Sequence, residues 1–166
     1  MRAGRDGSPI FEDEFDRLFG RAFAVARRLT GDAAAAEDIA AEALARTYAR
    51  WSRVRAFEYL DAWVARVATN LAIDASRRRR VEPAAAASDD PSDDTVLRLA
   101  LVDALTRLPR RQREAVALRY LADLSVDDVA SSLGVSAGTV KQSVHRALKT
   151  LRTQLGPEMS LIGEEC

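Results

Sequence analysis

Apolar residues recur at helical spacing through most of this chain. Phe11, Phe15, Leu18, Phe19, Ala22, Phe23 and Ala26 fall on one side of a helix running from Phe11 to about Thr30. Gly31-Asp32 interrupts the pattern. A second helix follows from Ala33 to about Trp51, with Ile39, Ala43, Leu44, Thr47 and Tyr48 as its inner face. The stretch Trp51 to Phe57, WSRVRAF, loses the periodicity and reads as a loop. A third helix from Glu58 to about Arg80 carries Leu60, Val64, Val67, Ala68, Leu71, Ile73 and Ala75, and it ends in the arginine run Arg77 to Arg80. No stretch alternates with period two over a useful length, so no strand is predicted.

The next segment breaks the pattern completely. Val81 to Asp94, VEPAAAASDDPSDD, holds two prolines, five acids and no aromatic residue. Such a composition cannot bury enough apolar surface to order itself, and it predicts a flexible linker. Beyond it, Val96–Leu108 and Pro109–Leu121 read as two more helices, with Pro109 suited to a first helical position. The expected fold class is all-α: two small helical domains joined by a flexible acidic linker. The expected divisions are a loose tail at 1–10, a domain at 11–80, the linker at 81–95, a domain at 96–155 and a tail at 156–166. Domains of about 60–70 residues are marginal alone, which suits chains that dock on a larger partner.

The sharpest local pattern lies in LSVDDVASSLGVSAGTVKQSVHRALKTLR, Leu124 to Arg152. Ser125 is placed to cap a helix whose Val126, Val129, Ala130 and Leu133 form one apolar stripe. Gly134 suits the left-handed residue that ends that helix, and Ser136 suits the cap of the next. The second helix buries Val140, Val144, Leu148, Leu151 and Leu155. Its other face shows Ser136 at the start, then Thr139, Lys141, Gln142, His145, Arg146, Lys149 and Arg152. From Leu133 to Arg152 there are four Lys/Arg and no acid. A capped helix-turn-helix with such a face can place its first turns on base edges in the DNA major groove. Arg and Lys prefer guanine there, and Gln prefers adenine. The plainer alternative is an amphipathic helical hairpin with a solvated polar face.

Composition narrows the classes. The chain has 166 residues, 48% hydrophobic and 30% charged, and only 6% aromatic, so its core must be mainly Ala, Leu and Val. The 25 basic residues balance the 25 acids, which argues against a simple nucleic-acid coat. The balance is uneven, however: Val96 to Leu155 holds ten basic residues and five acids. Cys166 is the only cysteine, so no internal disulfide forms. No run approaches a membrane span, and MRAGRDGSPI lacks an apolar signal core, so a cytoplasmic protein is expected. There is no phosphate-binding glycine loop, no His pair and no Cys–His set. Neither enzyme chemistry nor a cofactor or metal is expected, and His145, the lone histidine, is read as DNA-facing or solvent-exposed.

The order of these motifs resembles bacterial RNA polymerase sigma factors of the sigma-70 family, in the short extracytoplasmic-function (ECF) type. The resemblance runs through AAEDIAAEALARTYARW (Ala35–Trp51), EYLDAWVARVATNLAIDASRRRR (Glu58–Arg80) and LPRRQREAVALRYLADLSVDDVASSLGVSAGTVKQSVHRALKTLR (Leu108–Arg152). It is carried above all by the helix-turn-helix together with the upstream W-x-x-R-x-x-x-N run of Trp63, Arg66 and Asn70. It implies a transcription initiation factor that binds core RNA polymerase, recognises −10 and −35 promoter elements and assists opening. The helix with Asp38, Ile39, Glu42, Leu44 and Arg46 resembles the face that grips the polymerase clamp helices. Trp51–Phe57 and the helix through Asn70, with Arg66 and Arg77, resemble the part that captures the melted −10 strand. The helix from Ser136 resembles the −35 reader, and the Pro109–Tyr120 helix the part that docks on the flap. An anti-sigma factor is the expected inhibitor. Many members of the family have arginine where Ser143 stands, leaving one fewer charge here for phosphate.

The residues fit these roles chemically. Arg53 and Arg55 suit phosphates, while Trp51, Val54 or Phe57 offers a surface to an unstacked base, worth about 1–3 kcal/mol. Asn70 carries an amide that can pair with a base edge. Arg77–Arg80 suits phosphates, and equally a solvated helix end where cations favour the dipole. Trp63, in phase with Leu60 and Val67, is read as core. Asp127-Asp128 is accounted for as acids at a helix N-terminus. A ligand-responsive activator with a similar C-terminal motif is the alternative, but it would need a sensor domain, and the first 80 residues show no βα pattern. A helical adaptor would leave the basic stripe unexplained.

Overall fold

Several of the helix breaks are made by a residue that leaves the helical conformation or that caps the next helix. The computed structural model describes residues 10–81 and 92–156. Helix α1 (Phe11–Thr30) ends at Gly31, whose left-handed φ of 69° lets its N–H return to the Arg27 carbonyl. Asp32 then caps α2 (Ala33–Tyr48) by accepting from the Ala35 N–H at 2.9 Å. That bond holds the Asp32 carboxyl below its usual value. Helix α2 stops at Tyr48, short of the expected Trp51, and Tyr48 is exposed rather than facing inward.

The segment read as a loop contains one helical turn, α3 (Trp51–Val54), because the Arg50 carbonyl accepts from the Arg53 and Val54 N–H groups. Winding this turn carries Val54 to 1% exposure. Helix α4 (Leu60–Val81) follows. Helices α1, α2 and α4 pack on one another. Their shared core is Leu18, Ala22, Val25, Ala26 and Leu29 with Ala36, Ala40, Ala43, Leu44, Val64, Ala65 and Ala68. The many alanines let the helix backbones approach closely. The phenyl rings of Phe11, Phe15, Phe19 and Phe23 sit on the border of this core rather than within it, and Phe15 is exposed. Four-residue steps drift about 40° around a helix, so this line cannot stay on the buried stripe.

Helix α5 (Asp93–Arg107) begins inside the segment read as linker. Asp93 and Asp94 lie in its first turn, where the helix dipole favours acids. Val81 closes α4 and Ser92 precedes α5; residues 82–91 of that linker, and the tails at 1–9 and 157–166, lie outside the described residues. Pro109 takes the cap position of α6 (Arg110–Tyr120) rather than its first helical one, with its carbonyl accepting from Arg113. Asp123, at φ 56°, turns the chain towards α7 (Val126–Leu133). Gly134 then separates α7 from α8 (Ala137–Leu155). Among the described residues every element is helical.

Helix α8 packs on α5, α6 and α7, and α4 joins the two groups by packing on α5, α6 and α7. The apolar cluster is therefore continuous from Leu18 to Leu151. Arg98 of α5 lies over Gly31, so a Cβ there would meet its guanidinium. Gly134→Ala has open space for its methyl. It should cost about 1–2 kcal/mol from backbone conformation alone. Gly31→Ala should cost at least as much, since Arg98 must also move. Urea unfolding of the two variants measures both.

Candidate nucleic-acid interface

Two serine caps set the angle of the helix-turn-helix. Ser125 Oγ accepts from the Asp128 N–H at 3.0 Å and donates to the Asp128 carboxylate at 2.6 Å. Ser136 Oγ accepts from the Thr139 N–H at 3.2 Å. Between them the Val135 N–H returns to the Ala130 carbonyl at 3.0 Å. Val129 and Ala130 of α7 and Val140, Val144, Ala147 and Leu151 of α8 are buried in the seam. Leu148 and Leu155 lie at its rim, and Ala147 takes the central place.

This seam turns the polar side of α8 outward. Ser136, Thr139, Lys141, Gln142, His145, Arg146 and Lys149 are all exposed on one helix. Lys141, His145 and Arg152 also border a groove of about 540 Å³ whose apolar wall includes Val126, Val140, Val144 and Leu148 and whose far side carries Arg119. No acid interrupts this face, so it presents a positive potential to phosphate. Ser143 is half-buried and, together with Thr139, lines a cavity of about 200 Å³ with Arg66, Arg110, Arg111 and Glu114.

The first helix group presents a more divided surface. On α2, Asp38, Glu42 and Arg46 fall four residues apart and are exposed, and Arg46 Nε meets the Glu42 carboxylate at 2.7 Å. Ile39 and Leu44 are in the core, Leu44 at 2% exposure. They support this face from beneath and cannot form part of it. Arg53 is exposed, and Trp51 is half-buried with its ring 5.2 Å from that of Phe11. Val54 is buried, so it offers no surface to a base. Phe57 stacks on Tyr59 at 4.8 Å and meets Trp63 edge-on at 6.1 Å. Arg55 and Trp63 are half-buried, and Arg77 is exposed on the last turns of α4.

Arg66 and Asn70, one turn apart on α4, converge on a residue that the sequence reading passed over. Glu114 of α6 has a side chain only 3% exposed. It accepts from Asn70 Nδ2 at 3.1 Å, from Arg66 Nε at 3.4 Å and from Arg110 Nε at 3.2 Å. Arg66 also donates to the Ser132 carbonyl at 2.9 Å. The available signal was a lone acid in RRQREAVALRY, in phase with Leu118 one turn on. Burial alone would push the Glu114 carboxyl up, but the Asn70 amide and the Arg66 and Arg110 guanidinium groups outweigh it and hold the carboxyl below its usual value.

Residues 15–82 match the model of sigma-70 region 2, and residues 98–151 match that of sigma-70 region 4. The RNA polymerase sigma-E factor of Streptomyces coelicolor is 40% identical over 136 residues, covering 78% of this chain and 77% of that protein. The chain belongs to the sigma-70 family of RNA polymerase sigma factors. Its similarity extends to ECF members: SigL of Mycobacterium tuberculosis is 33% identical over 144 residues, covering 78% of this chain and 80% of that one. SigW of Bacillus subtilis is 28% identical over 165 residues, covering 87% and 88%. Among solved structures, the sigma factor RpoE of Bartonella quintana, in complex with the anti-sigma factor NepR, matches with a TM-score of 0.57 and 25% identity, over 87% of this chain and 96% of that one. This sigma factor is accordingly a promoter-specificity factor for RNA polymerase.

The depressed Glu114 carboxyl ties stability of the sigma factor to pH. Its favourable contribution is complete above the usual glutamate value of 4.5 and is lost as pH falls through the lower folded-state value. Urea unfolding between pH 7 and pH 3 should therefore show the wild type losing stability more steeply at the acid end than Glu114→Gln does.

Proposed function

We propose a division of labour among the faces of this sigma factor. The exposed α2 face of Asp38, Glu42 and Arg46 grips the clamp helices of core RNA polymerase. The α3–α4 segment receives the melted −10 strand, with Arg53, Arg55 and Arg77 on phosphates, Trp51 beside an unstacked base, and Arg66 and Asn70 on the strand. Helix α8 reads the −35 duplex through Ser136, Thr139, Lys141, Gln142, His145, Arg146 and Lys149, while α5 and α6 dock on the flap. Two units, at 11–80 and 96–155, divide these tasks.

The observation that carries this reading is the exposed, acid-free face of α8, held by two caps and a buried seam. A helix fixed in this way enters the major groove with its side chains already oriented. The chemistry of RNA synthesis stays with the polymerase, and this chain supplies no active site of its own. It works in the cytoplasm; no described helix is long and apolar enough to cross a membrane. An anti-sigma factor, the class of partner bound to the Bartonella quintana relative, would hold this chain inactive.

Tagged wild-type chain should retain core polymerase in a pull-down, and Glu42→Arg should lose it. Lys141→Ala should weaken −35 recognition by about 1–3 kcal/mol. Asn70→Ala should impair opening, scored by permanganate reactivity of the −10 region. Both variants should keep polymerase binding. Tight binding of duplex DNA without any polymerase binding would make the chain an independent activator instead.

A further inference from the structure

Two of the side chains proposed to meet the −10 strand, Arg66 and Asn70, are engaged in this structure, and what holds them comes from the other helix group. Glu114 sits on α6, yet two of its three partners are Arg66 and Asn70 of α4. A carboxylate offers a guanidinium two oxygens that accept side by side, as two oxygens of a phosphate do. It also accepts from an amide as a base edge would. At 3% exposure Glu114 leaves no room for DNA beside it.

A second clasp lies along α1. Arg21 donates to the Ala122 carbonyl at 2.9 Å, and Arg28 donates to the Leu121 carbonyl. These carbonyls lie at the C-terminal end of α6, where the helix dipole is negative. Ser132, which receives Arg66, lies in the last turn of α7. Three cations of the first helix group thus meet the negative ends of two helices of the second.

We propose that Glu114 is an intramolecular latch: in the chain free of polymerase it occupies Arg66 and Asn70 and closes the −10 surface to DNA. This rests on the assignment of Arg66 and Asn70 to that surface. The latch is built to open at low cost. Arg110, on the same helix as Glu114 and largely exposed, stays with the carboxylate when α4 leaves, so no buried charge is stranded. The 11 residues between Val81 and Asp93 can reach roughly 36–40 Å when extended. The two helix groups can therefore part without unfolding. The α2 face and the α8 face both remain exposed in the closed form. Polymerase can engage the closed chain first, and DNA strand capture follows release.

The test uses the full chain and two readouts, the small-angle scattering radius of gyration and binding of a fluorescent, randomised 20-nucleotide single-stranded DNA. Glu114→Gln keeps the shape of the side chain and removes its charge. If the closed form holds about nine molecules in ten, this variant should expand and bind the oligonucleotide about tenfold more tightly than wild type. Adding Arg66→Ala and Asn70→Ala should abolish the gain. A folded Glu114→Gln with wild-type radius and affinity overturns the proposal. Should circular dichroism show Glu114→Gln unfolded, the Arg21→Ala/Arg28→Ala variant decides by the same two readouts. Wild-type retention of core polymerase is measured alongside. Its loss would sink the functional reading, while an expanded Glu114→Gln would still establish the closed form.

Discussion

A carboxylate taken out of water must find donors for its oxygens, and Glu114 finds them on two separate helix groups. That requirement fixes the relation of α6 to α4. Once α6 is placed, its C-terminal carbonyls meet Arg21 and Arg28 of α1, and α7 brings Ser132 over Arg66. The apolar cluster then closes across the junction. Hydrophobic burial supplies most of the stability of each group, but it is indifferent to direction. The directional bonds of Glu114 select one docking out of the many that small apolar faces would permit.

Much of this was legible in the chain because helices announce themselves through period and caps. Gly31, Asp32, Ser125, Gly134 and Ser136 each sit at a boundary that their own chemistry dictates. The exposed face of α8 was readable for the same reason: its apolar seam leaves one side of the helix for solvent. Position within a bundle was less readable. Ile39 and Leu44 share a helix with Asp38 and Glu42, and only packing shows that they lie under the exposed face rather than in it. Val54 sits in a segment too short to show a period, so its burial under a single helical turn left no trace in spacing. Asp93 and Asp94 were read for their charge as linker, although acids also begin helices. Glu114 was missed because its α4 partners lie 44 and 48 residues away; the local signal, a lone acid with Arg110 one turn before it, reads equally as an exposed ion pair.

The two halves of the molecule handle polar groups differently. In the first, cations that would otherwise face water are engaged by carbonyls and a carboxylate. In the second, the basic side chains of α8 are left unopposed by acids. The polar face of α8 is thus open in the same form in which Arg66 and Asn70 are engaged, so only the latter depend on how the helix groups are arranged. Contact with the face of α8 needs no rearrangement of the helix groups, and contact with Arg66 and Asn70 does.

The seam beneath α8 has an evolutionary consequence. Val140, Val144, Ala147 and Leu151 fix the helix from below, and none of them is among the residues that point outward. Surface substitutions away from caps and packed positions usually change stability by less than about 0.5 kcal/mol. Positions 141, 142, 145 and 146 can therefore be recoded with little penalty to the fold. A lineage that duplicates this chain can change the chemistry of this face through a few exposed side chains, while the scaffold that presents them stays under separate selection.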